Sequence, residues 1–212
     1  MTLTETLQTD NGLKLIPAIP LRQIRAVYDE QTIRVYQAYS DSIADAALAQ
    51  GTFAPPFKMT RMTWIKPSFL WMMYRAGWGF KDPSQARILA IDISRAGFAW
   101  ALANSCPSHP DQPLNQETWQ HLKQAKPVRI QWDPERDLQL NPLPHRSIQI
   151  GLGGIAVDLY VNQWLQNITD ITPQAQAIFA LVQQGEVAKA QAMLPSELPY
   201  PFTECIPLGD KT

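Results

Sequence analysis

Residues 155–168 read IAVDLYVNQWLQNI, and their spacing decides the fold class. Val157, Val161, Trp164, Leu165 and Ile168 recur at i, i+4, i+7, i+8 and i+11, one apolar face of a helix. Two more helical stretches follow, PQAQAIFALVQQG and EVAKAQAML. The chain is therefore expected to be helical from about residue 155 to residue 193. Upstream the period changes to two. Ile33 and Val35 alternate with Arg34 and Tyr36 as in a strand, and Ser40 or Asp41 then opens a helix. Ile43, Ala46 and Ala47 share one face of that helix, and Gly51 stops it.

The run RMTWIKPSFLWMMYRAGW, residues 61–78, repeats the pattern. RMTWI alternates as a strand, Pro67 suits a first helical turn, and Gly77 suits the end of the helix. RILAIDIS, VRIQWD and RSIQI read as further strands. Strands grouped early and helices gathered late make an α+β protein, expected as a mostly antiparallel split sheet with C-terminal helices. The expected organisation is a flexible arm over residues 1–21, one α+β domain over 22–203, and a tail over 204–212.

Composition excludes several classes of function. Eighteen basic and nineteen acidic residues leave a formal charge of −1, so bulk charge does not hold this chain to DNA or a membrane. No apolar run approaches the roughly 18 residues that span a bilayer. The start, MTLTETLQTDNG, is polar and acidic, unlike a secretory or transit segment, and a cytoplasmic location is expected. Three histidines and two cysteines show no metal-ligand spacing, so no metal is expected.

Three stretches carry candidate chemistry. GLGGIA, residues 151–156, matches the glycine pattern of a dinucleotide fingerprint. Such a unit continues helix–strand with an acidic residue about 20 positions on, whereas here Asp170 is followed by Ile-Thr-Pro and another helix, so these glycines are expected to make a tight strand-to-helix turn. The 61–78 run interleaves Arg61, Lys66 and Arg75 with Trp64, Phe69, Trp71, Tyr74 and Trp78, a mixture that suits rings and phosphates. Lys66 and Ser68 stand at the strand-to-helix junction, where exposed N–H groups face a ligand, although Ser68 is equally suited to a purely structural role in the first turn. In QWDPERD, Glu135 is a candidate catalytic carboxylate, against the plainer reading of a solvated acidic turn.

The runs IRAVYDEQTIRVYQAYSDSIADAA, MTRMTWIKPSFLWMMYR and ILAIDISRAGFAWAL resemble the family called domain of unknown function 4291, over about residues 22–202. More distantly, VYQAYSDSIADAALAQG and TWIKPSFLWMMYRAG resemble the first two signatures of the ADP-ribosyltransferase superfamily. That second resemblance implies a cleft between two small sheets, NAD as co-substrate, and a nucleotide-type ligand with a protein or nucleic-acid acceptor. It implies that Arg34 or Gln37 holds a ribose, that Ser68 meets the nicotinamide ribose, and that Tyr39 or Trp64 stacks on the ring. Lys66 would add a charge contact. The superfamily's glutamate has Glu135 as its nearest candidate, with Gln131 and Gln149 as strand-borne alternatives. The competing reading is a non-catalytic module that binds nucleotide or single-stranded nucleic acid through residues 61–78.

Overall fold

The computed structural model describes residues 19–109 and 115–201. Most of the expected arm, and the tail at 204–212, lie outside the described residues. Strand β1 (Arg25–Ala26) is followed by β2 (Thr32–Tyr39) and helix α1 (Asp41–Gln50), which ends at Gly51. Strand β3 (Thr63–Ile65) leads into α2 (Phe69–Ala76), ending at Gly77. Pro67 falls just outside α2, because Ser68 is its N-cap and accepts a hydrogen bond from the Trp71 N–H. Strand β4 (Arg87–Ser94), helix α3 (Arg95–Ala103), the short β5 (Ser105–Pro107) and helix α4 (Gln116–Ala125) come next.

Strands β6 (Val128–Arg136) and β7 (Pro142–Leu152) form the long hairpin of the molecule. The GLGG segment then makes the expected strand-to-helix turn, with Gly154 at φ +52°. Gly151 has a different reason to be glycine. A Cβ there would come within 2.9 Å of the Trp64 indole, which lies against the β7 backbone. Helix α5 (Ile155–Leu159) continues into a π-helical turn over Tyr160–Trp164.

The next element corrects the sequence expectation. Residues Leu165–Asp170 are not helical; they form strand β8, antiparallel to β4, with Ile168 opposite Ile91. The helical face therefore holds only through Val157, Val161 and Trp164, all buried. Leu165 and Ile168 pack on the same core from a strand, so their apolar spacing could not separate the two conformations. The free edge of β4 decides the matter, since pairing satisfies its backbone groups and Ile168–Thr169 is β-branched. Helices α6 (Thr172–Gln183) and α7 (Val187–Ala192) and the short β9 (Leu198–Pro199) complete the chain.

The strands fall into a three-stranded sheet β2-β4-β8, a four-stranded sheet β3-β7-β6-β5, and the pair β1-β9. All pairings are antiparallel except β5 with β6. Strand β4 is apolar on both faces because both are covered. Leu89, Ile91 and Ile93 join the main core with Phe98, Val157 and Trp164, whereas Ile88 and Ala90 join a second core with Phe69, Met73 and Ile178. One backbone bridge joins the two larger sheets among the described residues. The Tyr36 N–H donates to the Lys66 carbonyl at 2.7 Å and the Lys66 N–H donates back at 3.3 Å. Beyond that bridge the sheets part, and a cleft opens. Among the described residues, no helix is long and apolar enough to cross a membrane.

Candidate functional site

The cleft has a volume of about 660 Å³ and takes its walls from both sheets. Strand β2 supplies Gln37 and Tyr39, with Ser40 just beyond its end. Strand β3 and the loop before it supply Lys58, Arg61, Thr63 and Trp64, Lys66 follows the strand directly, and α2 adds Arg75. Gln131 and Gln149, opposite each other on β6 and β7, complete the polar lining. Four basic residues thus line the cleft, with Asp82 as the acidic residue among the lining groups.

Gln37 is the hub of the site. Its amide nitrogen shares its two hydrogens among Thr63 Oγ1 at 2.7 Å, Tyr39 Oη at 3.0 Å and the Trp64 carbonyl at 3.1 Å. Its amide oxygen accepts from Tyr160 Oη at 2.7 Å. A buried amide fully engaged in this way is rigid, and its removal leaves several buried polar groups unpaired. Burial pushes the Tyr39 hydroxyl up to about 12, so it remains a neutral donor. The Tyr39 ring packs edge-on against Phe53 and Phe57 and is committed to the core. Trp64 is half-buried and remains the aromatic surface of the cleft.

Asp133 holds the other two amides. Its carboxylate accepts from Gln131 Nε2 at 2.8 Å and from Gln149 Nε2 at 2.7 Å. The amide oxygens are thereby oriented, and one of them, from Gln131, meets Ser108 Oγ at 3.2 Å. Lys66 is only 5% exposed, and its Nζ lies 5.1 Å from the centre of the Trp71 ring. Burial pushes its pKa down to about 7; Arg75 contributes in the same direction and Asp133 opposes.

These walls belong to a chain whose residues 23–200 match the model of the family described as Domain of unknown function (DUF4291). The chain belongs to this family. No curated protein matches the sequence.

In this DUF4291 chain, Gln37, Tyr39, Trp64 and Lys66 reach the cleft, as do Arg61, Arg75, Gln131 and Gln149. Arg34, Ser68 and Glu135 lie elsewhere. Arg34, on β2, forms a two-pronged ion pair with Asp92 of β4, at 2.8 and 2.9 Å. Ser68 and Glu135 meet each other, with Ser68 Oγ donating to Glu135 Oε1 at 2.8 Å, but neither lines the cleft. Glu135 is buried and also accepts from the Arg136 N–H at 2.8 Å. Burial raises its pKa.

The DUF4291 domain holds one more carboxylate that sequence reasoning missed. Glu197, just before β9, accepts from the Phe69 N–H at 2.7 Å, at the start of α2. Burial pushes it up to about 8, the charge of Glu135 adds to the shift, and the Phe69 bond and Arg25 oppose it. Nothing in the local stretch LPSELPY distinguishes this glutamate from a solvated one. Lys58 is as unremarkable locally, whereas Gln131 and Gln149, offered as the strand-borne alternatives to Glu135, both line the cleft, brought together by the register of β6 against β7.

Proposed function

We propose that the cleft binds a phosphate-bearing nucleotide, with NAD as the ligand and ADP-ribosyl transfer as the reaction. The observation that carries this reading is the gathering of Lys58, Arg61, Lys66 and Arg75 in one cleft of a chain whose formal charge is −1. Clustered cations in a partly enclosed site favour a multiply charged anion, and guanidinium groups match phosphate oxygens. Trp64 offers a face for a base or nicotinamide ring. Gln131 and Gln149, fixed by Asp133, offer amide oxygens to ribose hydroxyls and are the strand-borne alternatives to the glutamate that the superfamily resemblance implies.

An amide carries no formal charge, so it stabilises an oxocarbenium-like transition state less than a carboxylate does. Slow cleavage of NAD is the expected behaviour. A second reading, a non-catalytic nucleotide or single-stranded nucleic-acid binding module, is favoured by the position of Glu135, which is spent on Ser68 and Arg136 outside the cleft. Prolonged incubation with NAD, followed by chromatographic measurement of free nicotinamide, separates the two. Release above the no-protein control supports transfer chemistry. Recovery of bound NAD intact supports the binding module.

A further inference from the structure

We propose that Lys66 is an imine-forming amine, a site of covalent capture for phosphate-bearing aldehydes that enter the cleft. Its surroundings differ from those of an ordinary lysine. The side chain is nearly enclosed and lies over the Trp71 ring. Its Nζ makes no hydrogen bond or ion pair among the described residues, yet it is not sealed off, since Lys66 lines the cleft. The carboxylate that opposes the fall in its pKa, Asp133 on β6, is engaged by Gln131 and Gln149.

Arg75 from α2 repels the ammonium form, and Arg61 and Lys58 add positive charge along the same walls. With a pKa of about 7, a large share of the amine is unprotonated near neutrality and able to act as a nucleophile. Arg75, which disfavours its charge, would seat a phosphate together with Arg61 and Lys58. An aldehyde carried by a phosphorylated ligand would thus be held beside a neutral amine. In the reaction the Nζ lone pair attacks the carbonyl carbon and a C–N bond forms. The carbonyl oxygen then leaves as water with the two amine protons, giving the imine with no change of oxidation state.

This inference rests on the proposed function only for the phosphate-bearing class of ligand, and not on NAD cleavage. ADP-ribose freed from NAD is itself such an aldehyde in its open-chain form, which links the two.

The test uses the intact chain, pyridoxal 5′-phosphate as probe and pyridoxal as its phosphate-free control. Borohydride reduces any imine to a stable amine, and peptide mass mapping locates it. The expected result is preferential labelling of Lys66 over exposed lysines such as Lys189. Half-maximal labelling should need about tenfold less of the phosphorylated probe than of pyridoxal, equal to about 1.4 kcal/mol from the phosphate contacts. Labelling spread over surface lysines without preference for Lys66 would overturn the imine, even if pyridoxal 5′-phosphate competes with NAD and so upholds the cleft. Equal labelling of Lys66 by both probes would overturn the phosphate-bearing class, and the proposed ligand with it.

Discussion

Tyr160 donates a 2.7 Å hydrogen bond to the amide oxygen of Gln37, tying the π-helical turn after α5 to the wall of the cleft. Both groups are buried, and burial raises the Tyr160 hydroxyl well above its ordinary pKa, so the phenol stays protonated and donating. Gln37→Ala removes the acceptor for Tyr160 and the donor for Thr63 and Tyr39 together. The expected cost is about 1–3 kcal/mol, the range for stranding a buried polar group. At roughly 2–4 °C per kcal/mol for a chain of this size, thermal unfolding should fall measurably. An unchanged melting temperature would show that the network contributes nothing to stability.

Trp164 and Gly97 form a second dependent pair. The indole packs on the α3 backbone at Gly97, where an added Cβ would overlap the ring. Trp164→Ala should cost about 3–5 kcal/mol, as for other large buried side chains. Gly97→Ala alone should also destabilise. Combined, the two changes should cost less than their sum, because the alanine methyl then occupies part of the space the indole leaves. Denaturant melts of the four chains give the coupling; strict additivity would contradict the contact.

Glu197 makes stability depend on pH. Its folded pKa, about 8, lies above the ordinary 4.5, so the folded state binds the extra proton between those values. The contribution is fully present below about pH 4.5 and is lost as pH rises through 8. Glu197→Gln keeps an oxygen to accept from the Phe69 N–H and removes the titration. The variant should therefore gain stability relative to the parent chain as pH rises from 5 to 8. Parallel stability curves across that range would show that Glu197 is not held protonated.

Ser68 and Arg34 provide controls outside the cleft. Ser68→Ala removes the N-cap of α2 and a donor to Glu135, at a cost of about 1 kcal/mol or more. Arg34→Ala breaks the pair with Asp92. Both should lower stability and leave ligand affinity within twofold of the parent, by about 0.4 kcal/mol. A large loss of affinity with either change would mean that the binding site extends beyond the cleft described.

Much of the fold was legible because its signals are local. Strand, helix and glycine stop at residues 32–51 follow from side-chain period and cap chemistry, as does Ser68 at the head of α2. The β8 strand was not legible, because Leu165 and Ile168 satisfy a helical spacing and a strand face equally, and the free edge of β4 is a tertiary fact. The site divides in the same way. Gln37, Tyr39, Trp64 and Lys66 sit at strand ends that the pattern itself marks. Glu135 read as a surface acid or a catalyst, whereas the β6–β7 register buries it against Ser68.

The central claim is that the cations of the cleft hold the phosphates of a nucleotide. Calorimetric titration with NAD, on the parent chain and on an Arg61→Ala/Arg75→Ala double variant that keeps its melting temperature, tests it most directly. Saturable binding at millimolar concentration or below is expected, weakening as salt rises and falling by about tenfold or more in the variant, or about 1.4 kcal/mol. No heat of binding to the parent chain, or equal affinity in parent and variant, would contradict the account.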